Sequence, residues 1–292
     1  MSAEIENGTS KLAGETLRWL ARRCDARHLE QYFTHPQGMP LLVLPWWLEK
    51  SIRGEVDRDF QINLMASSMH GYLFIRMLDD LMDGHEIDRA CLPALHLFSF
   101  DFQSAYFQYF PAGDPFWDYF RRSLASMAEA ASVDSSLARI TEKDFTQISA
   151  RKTAATAIPL AAVCLRYGRP DLLPRWEDFV SLFARWHQMR DDIFDWDEDY
   201  ASSLSTGRST WMISEAERRR APHETVPIWI GRAGLSWAAG VMAGWMAEIR
   251  SAALDLNSPE LVTYLDGRDH VFSRQIAAKI RLAALCEGLL AL

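Results

Sequence analysis

Two Asp-Asp-x-x-Asp runs constrain this chain more than any other feature: Asp79-Asp80-Leu81-Met82-Asp83 and Asp191-Asp192-Ile193-Phe194-Asp195. Each lies in a stretch whose apolar residues recur at helical spacing. Residues 57 to 83 contain no proline and a single glycine, with Leu64, Met65, Met69, Tyr72, Leu73, Ile75, Met77 and Leu78 on that period, and stop at Gly84, a C-cap residue type. The second stretch begins near Trp176, after Pro174, and continues to about Tyr200. Similar patterns run from Leu12 to Ala21, from Thr141 to Tyr167 before Gly168, from Leu235 to Leu256 and from Asp269 to Leu290. No run of alternating residues with hairpin turns occurs, so the expected fold class is all-α. The breaks at Pro36 to Pro45, Ala112 to Pro115, Ser132 to Ser136 and Ser202 to Gly207 are short and not of low complexity. Residues 1-292 therefore read as one domain without a linker.

On a helix, positions i and i+4 share a face, which places Asp79 above Asp83 and Asp191 above Asp195, with Asp199 one turn further. Like charges so placed cost about 0.2–0.5 kcal/mol even when exposed. Both runs also lie toward the C-terminal part of their helices, where the macrodipole disfavours anions. Bound divalent cations reverse both penalties. Carboxylate oxygens with no nearby Cys or His pair suit Mg²⁺, which takes one or two carboxylates and completes its shell with phosphate and water. Two facing clusters with phosphate between them would meet that need. The alternative is a solvated acidic face.

A net charge of -8 gives no global basic field for nucleic acid. A polyanionic ligand must then find local cations. Lys152 enters the apolar run after QISAR, where a lone ammonium is expensive to bury without an anionic partner. Arg208 follows the second run after a Ser-rich segment, expected to be a flexible loop able to close over a phosphate. Arg76 and Arg190 read as ion-pair partners that orient the aspartates.

These motifs resemble those of the trans-isoprenyl diphosphate synthase superfamily, within the class I isoprenoid synthases. Residues 74 to 83 resemble its first aspartate-rich motif, Lys152-Thr153-Ala154 its K-T-(A/G) motif, residues 188 to 195 its Q-x-x-D-D-x-x-D motif, and Gly207-Arg208-Ser209-Thr210 its G-K-x-T, in the family's order. The resemblance implies a helical bundle around a deep central cavity and three Mg²⁺ ions bound with an allylic isoprenoid diphosphate. It implies that Asp79, Asp83 and Asp191 are the main metal ligands and catalytic residues, with Asp80, Asp192 and Asp195 ligating directly or through water. Lys152, Gln188 and Arg208 would contact the diphosphate, Lys152 as a catalytic residue too. In elongating relatives the residues four and five before the first motif limit product length; here they are Ile75 and Phe74, and the bulky Phe74 points to a short or medium chain.

The chain departs from the elongating pattern at two places. Where those members carry G-K-R it reads Leu44-Pro45-Trp46-Trp47-Leu48-Glu49-Lys50, and no arginine pair follows Asp83. A second diphosphate needs its own cations, and Lys50 and Arg89 are the obvious spare ones. The expected reaction is therefore ionisation followed by cyclisation or rearrangement, as in a terpene synthase. Elongation with isopentenyl diphosphate and a non-catalytic modulatory subunit are the alternatives. The second motif usual in terpene cyclases, N-D-x-x-S-x-x-x-E, is also absent.

Four widely spaced cysteines argue against a zinc site or a disulfide framework and for a reducing compartment. With a polar, acidic start and no membrane-spanning run, a cytoplasmic protein is expected, and a homodimer is left open. Eleven tryptophans include Trp186 and Trp196 beside the second run. They would either line a water-free, cation-stabilising cavity or pack a helical core. His70, His85 and His187 have no metal-like spacing and read as structural.

Overall fold

In the computed structural model the described residues are 10–24, 33–35, 38–82, 84 and 87–290. They form helices and connecting turns, and no strand occurs among them. The α-helices are α1 (Ser10–Cys24), α2 (Leu44–Arg53), α3 (Arg58–Met82), α4 (Leu92–Ser104), α5 (Pro115–Ser136), α6 (Glu142–Lys152), α7 (Ile158–Arg166), α8 (Leu173–Phe194), α9 (Trp196–Thr206), α10 (Trp211–Arg219), α11 (Val226–Trp229), α12 (Leu235–Asp255) and α13 (Pro259–Leu290). The expected all-α class is thus the observed one. No single helix among the described residues is long and apolar enough to cross a membrane.

The chain divides into two compact units, Met1–Arg122 with Ile158–Pro170, and Ser123–Ala157 with Asp171–Leu292. In the first, α3 packs on α4, and α2 on both α3 and α7. Small residues on α3 bring α4 close. A Cβ on Gly71 would stand 2.9 Å from the ring of Phe102, and the Ser67 hydroxyl donates to the Phe102 carbonyl at 2.8 Å. Phe102 in turn packs on Phe120, with ring centroids 5.1 Å apart. Where α2, α3 and α7 meet, the buried Glu49 carboxylate accepts from the Asp57 amide (2.8 Å), the Tyr167 hydroxyl (2.6 Å), Arg53 (3.0 Å) and the Gln61 amide (2.6 Å). A buried charge with this many donors is satisfied, and loss of the carboxylate would strand several of them.

In the second unit α8 packs on α6 and α12, and α12 on α13. The buried face of α8 carries Trp176, Phe179, Val180, Phe183, Trp186, Met189 and Ile193, recurring mostly every three or four residues as an amphipathic helix requires. Phe179, Phe183 and Trp186 stack in sequence along it. Thr141 opens α6 with a capping box to Asp144, satisfying the first amides of the helix.

Five expected elements differ. The break expected at Ser132 to Ser136 lies inside α5, and the helix expected from Asp269 begins at Pro259. The helix read from Thr141 to Tyr167 is interrupted at Thr153, and a 3-10 turn, Ala154–Ala157, separates α6 from α7. Pro159 lacks the amide a continuous helix would need and disfavours helical backbone before it. The helix read to Tyr200 breaks at Asp195, which closes α8 and opens α9. The Ser-rich segment before Arg208 is not a loop: Ser202 to Thr206 lie in α9, and the break is at Gly207, whose φ of 71° is left-handed. There Ser203, Ser205 and Thr206 turn their hydroxyls back onto carbonyls of their own helix.

Candidate functional site

Interruption of the helix at Thr153 leaves Lys152 as the last residue of α6, where a cation complements the negative end of the helix. From there it enters a cavity of about 80 Å³ in the second unit, lined also by Asp134, Ser149, Gln188, Asp192 and Thr210. Three residues selected from sequence, Lys152, Gln188 and Asp192, are thereby brought to one place. The Gln188 amide donates to Asp192 at 3.0 Å. Asp192 is 3 % exposed. Burial, reinforced by the nearby carboxylates of Asp199, Asp191 and Asp134, pushes it up to about 8 against the lowering effect of Gln188. Asp199 rises to about 6, through burial and then the charge of Asp195.

The rest of the second run is more open. Asp191 is 44 % exposed at its side chain and pairs with Arg190 at 3.0 Å. Asp195 sits exposed at the junction of α8 and α9. Arg208 donates to the Ser135 carbonyl at 3.1 Å. Its neighbours Gly207 and Ser209 line a larger cavity of about 510 Å³ in the same unit, which shares no lining residue with the first.

The first run ends α3. Asp80 is 1 % exposed, takes a hydrogen bond from the Trp19 indole at 2.9 Å, and stands 3.5 Å from Arg76. Asp79 is one-third exposed and lies 3.6 Å from the same arginine. Asp83 lies outside the described residues, as does His85. Phe74 is half-buried and packs against the cluster of Trp19, Leu20, Leu73 and Met77. Trp186 is wholly buried in the aromatic stack of α8.

Four residues that motif reading does not select support these runs. Asp134 pairs with Lys152. Trp19 holds Asp80. Lys279, on α13, donates to the Ile193 and Phe194 carbonyls at 3.3 and 2.8 Å, capping α8 beside its aspartates. Arg268, 1 % exposed, lies over Phe183 and Trp186 and bonds His187 Nδ1 at 3.0 Å. An arginine only donates, so Nδ1 accepts and the ring proton is on Nε2. Burial and the adjacent Arg268 and Arg190 charges push His187 down to about 3.

Among the described residues no three His, Cys, Asp or Glu side chains converge as a ready-made metal site. The donor set nevertheless suits a hard cation that brings substrate oxygens with it. Burial is the main cause that raises Asp192 to about 8, the carboxylates of Asp199, Asp191 and Asp134 add to it, and a divalent ion would relieve that crowding of negative charge.

No family model matches the chain, and no curated protein does either. Among solved structures the fold is similar to that of octaprenyl pyrophosphate synthase from Helicobacter pylori, at 12% sequence identity and a TM-score of 0.59, over 88% of this chain and 97% of that one. At this identity the likeness is one of fold alone.

Proposed function

We propose that the chain is an enzyme of isoprenoid diphosphate chemistry that ionises an allylic diphosphate and joins it to isopentenyl diphosphate. The observation that carries the reading is the convergence of Lys152, Gln188 and Asp192 on one cavity, in a fold similar to that of a solved octaprenyl pyrophosphate synthase. Elongation replaces cyclisation as the leading reading because the fold neighbour is named for a prenyl pyrophosphate product.

Magnesium held by Asp191 and the neighbouring aspartates of the second run would supply Lewis-acid neutralisation of the diphosphate. Lys152 and Gln188 bind its oxygens, and Lys152 stabilises the charge that grows there as the C–O bond breaks. The bonding pair leaves with the diphosphate. The isopentenyl double bond attacks the allylic cation, and a proton lost from the adjacent carbon restores a double bond.

A second reading, cyclisation within one chain, is favoured by the cation supply of the first unit. Arg53 is engaged by Glu49, and Arg166 by Asp57 at 2.9 Å and by the rings of Phe60 and Tyr109. Repulsion between two diphosphates in a partly desolvated site is large unless cations intervene.

The test offers purified protein with Mg²⁺ geranyl, farnesyl and geranylgeranyl diphosphate, each with and without isopentenyl diphosphate. Longer prenyl diphosphates appearing only with isopentenyl diphosphate establish elongation. Hydrocarbon or alcohol from an allylic substrate alone establishes cyclisation. Full activity in EDTA, or undiminished activity of both Asp79→Asn and Asp191→Asn, would sink the metal-assisted reading. Lys152→Met keeps the stem and loses the charge-assisted bond, about 1.5–3 kcal/mol, so diphosphate affinity should fall roughly 10- to 100-fold.

A further inference from the structure

We infer that Asp134 is a further residue of the diphosphate site: its carboxylate occupies Lys152 in the ligand-free protein and is exchanged for the diphosphate on binding. The inference rests on the reading just proposed and deepens it.

The last turn of α5 presents the acceptor chemistry of a phosphate. The Asp134 carboxylate pairs with the Lys152 ammonium, and the next residue, Ser135, offers its carbonyl to Arg208. Both cations assigned to the diphosphate are thus engaged by two consecutive residues of one helix end. That end carries no basic residue of its own in its last turn. An aspartate there opposes the helix dipole, so the cations it draws must come from other elements.

Exchange, not permanent pairing, follows from exposure and charge. The side chains of Lys152 and Asp134 are 29% and 27% exposed, so water reaches the pair. A pair so screened contributes no more than about fivefold to an equilibrium. A charge-assisted bond to a multiply charged phosphate contributes about tenfold or more. Lysine is a point charge on a flexible stem, able to turn from one anion to the other. Asp134 also faces Asp192 across the same small cavity, and its charge adds to those that burden Asp192. A ligand that draws Lys152 away must therefore overcome one carboxylate, and neutralising that carboxylate removes the competition.

The experiment is calorimetric binding of inorganic diphosphate, with Mg²⁺, to wild type, Asp134→Asn, Asp134→Ser and Lys152→Met, and to Asp134→Asn in the Lys152→Met background. Exchange predicts a gain in affinity of about two- to fivefold for both Asp134 variants, and no gain where Lys152 is already methionine. The Ser variant guards against a local packing effect of asparagine, and circular dichroism confirms the fold of each. Equal or weaker binding by both Asp134 variants, with wild type still binding, would overturn the exchange alone. A gain that persists without Lys152 would overturn it too. Absence of binding to wild type would overturn the diphosphate reading, and this inference with it.

Discussion

A histidine held neutral by its surroundings reports on the interior of the second unit. His187 is pushed from 6.5 down to about 3 by burial and by the adjacent Arg268 and Arg190. The sign of the linkage follows: the unfolded chain takes up a proton at 6.5 and the folded one does not. The stabilisation is complete above 6.5 and is lost as pH falls toward 3, at no more than about 1.4 kcal/mol per pH unit. Urea unfolding should show wild type losing more stability than His187→Gln between pH 7.5 and about 5. Identical losses would show that His187 is not kept neutral in the fold. At this scale the sequence is informative where a motif fixes spacing along one helix: Gln188 and Asp192 are one turn apart and hydrogen-bonded, as i and i+4 allow. It is silent on partners from other elements. Nothing local to Asp134, Trp19 or Lys279 marks them as companions of the aspartates, because their contacts are 18, 61 and 85 to 86 residues away along the chain.

Between elements, the contact of α3 with α4 is set by one missing methyl group. An alanine at Gly71 would put its Cβ 2.9 Å from the Phe102 ring, which is itself buried against Phe120 and cannot simply swing aside. Overpacking of this kind costs about 1–3 kcal/mol, against roughly 1 kcal/mol gained in helix propensity. Gly71→Ala should therefore lower the unfolding midpoint modestly, and Gly71→Ala with Phe102→Leu should recover part of the loss. A midpoint raised by the single change would mean that the helices are not so close. Element boundaries were legible where a cap or an apolar period marks them, as for α3 and α12. They are not legible where proline acts at a distance, as at Thr153, or where serine, a loop-favouring residue, bonds its hydroxyl within α9.

For the whole molecule, neither the change at 122/123, inside α5, nor that at 157/158 coincides with a linker-like composition, which is why residues 1-292 read as undivided. The first unit is completed only by Ile158–Pro170, whose α7 packs on α2. A fragment ending at Arg122 lacks that helix, so it should show no cooperative unfolding transition in urea. A sharp transition from that fragment would show that α7 is dispensable to the unit. The same division bears on synthesis. Between Arg122 and Pro170 the ribosome adds 48 residues, which at about 5–20 residues per second takes roughly 2 to 10 s. For that interval the apolar residues of α2, Leu44 and Leu48 among them, wait without their partner helix. In a nascent chain the face of α2 that packs on α7 is thus left uncovered over a defined window of elongation, one that closes when residue 170 clears the exit tunnel.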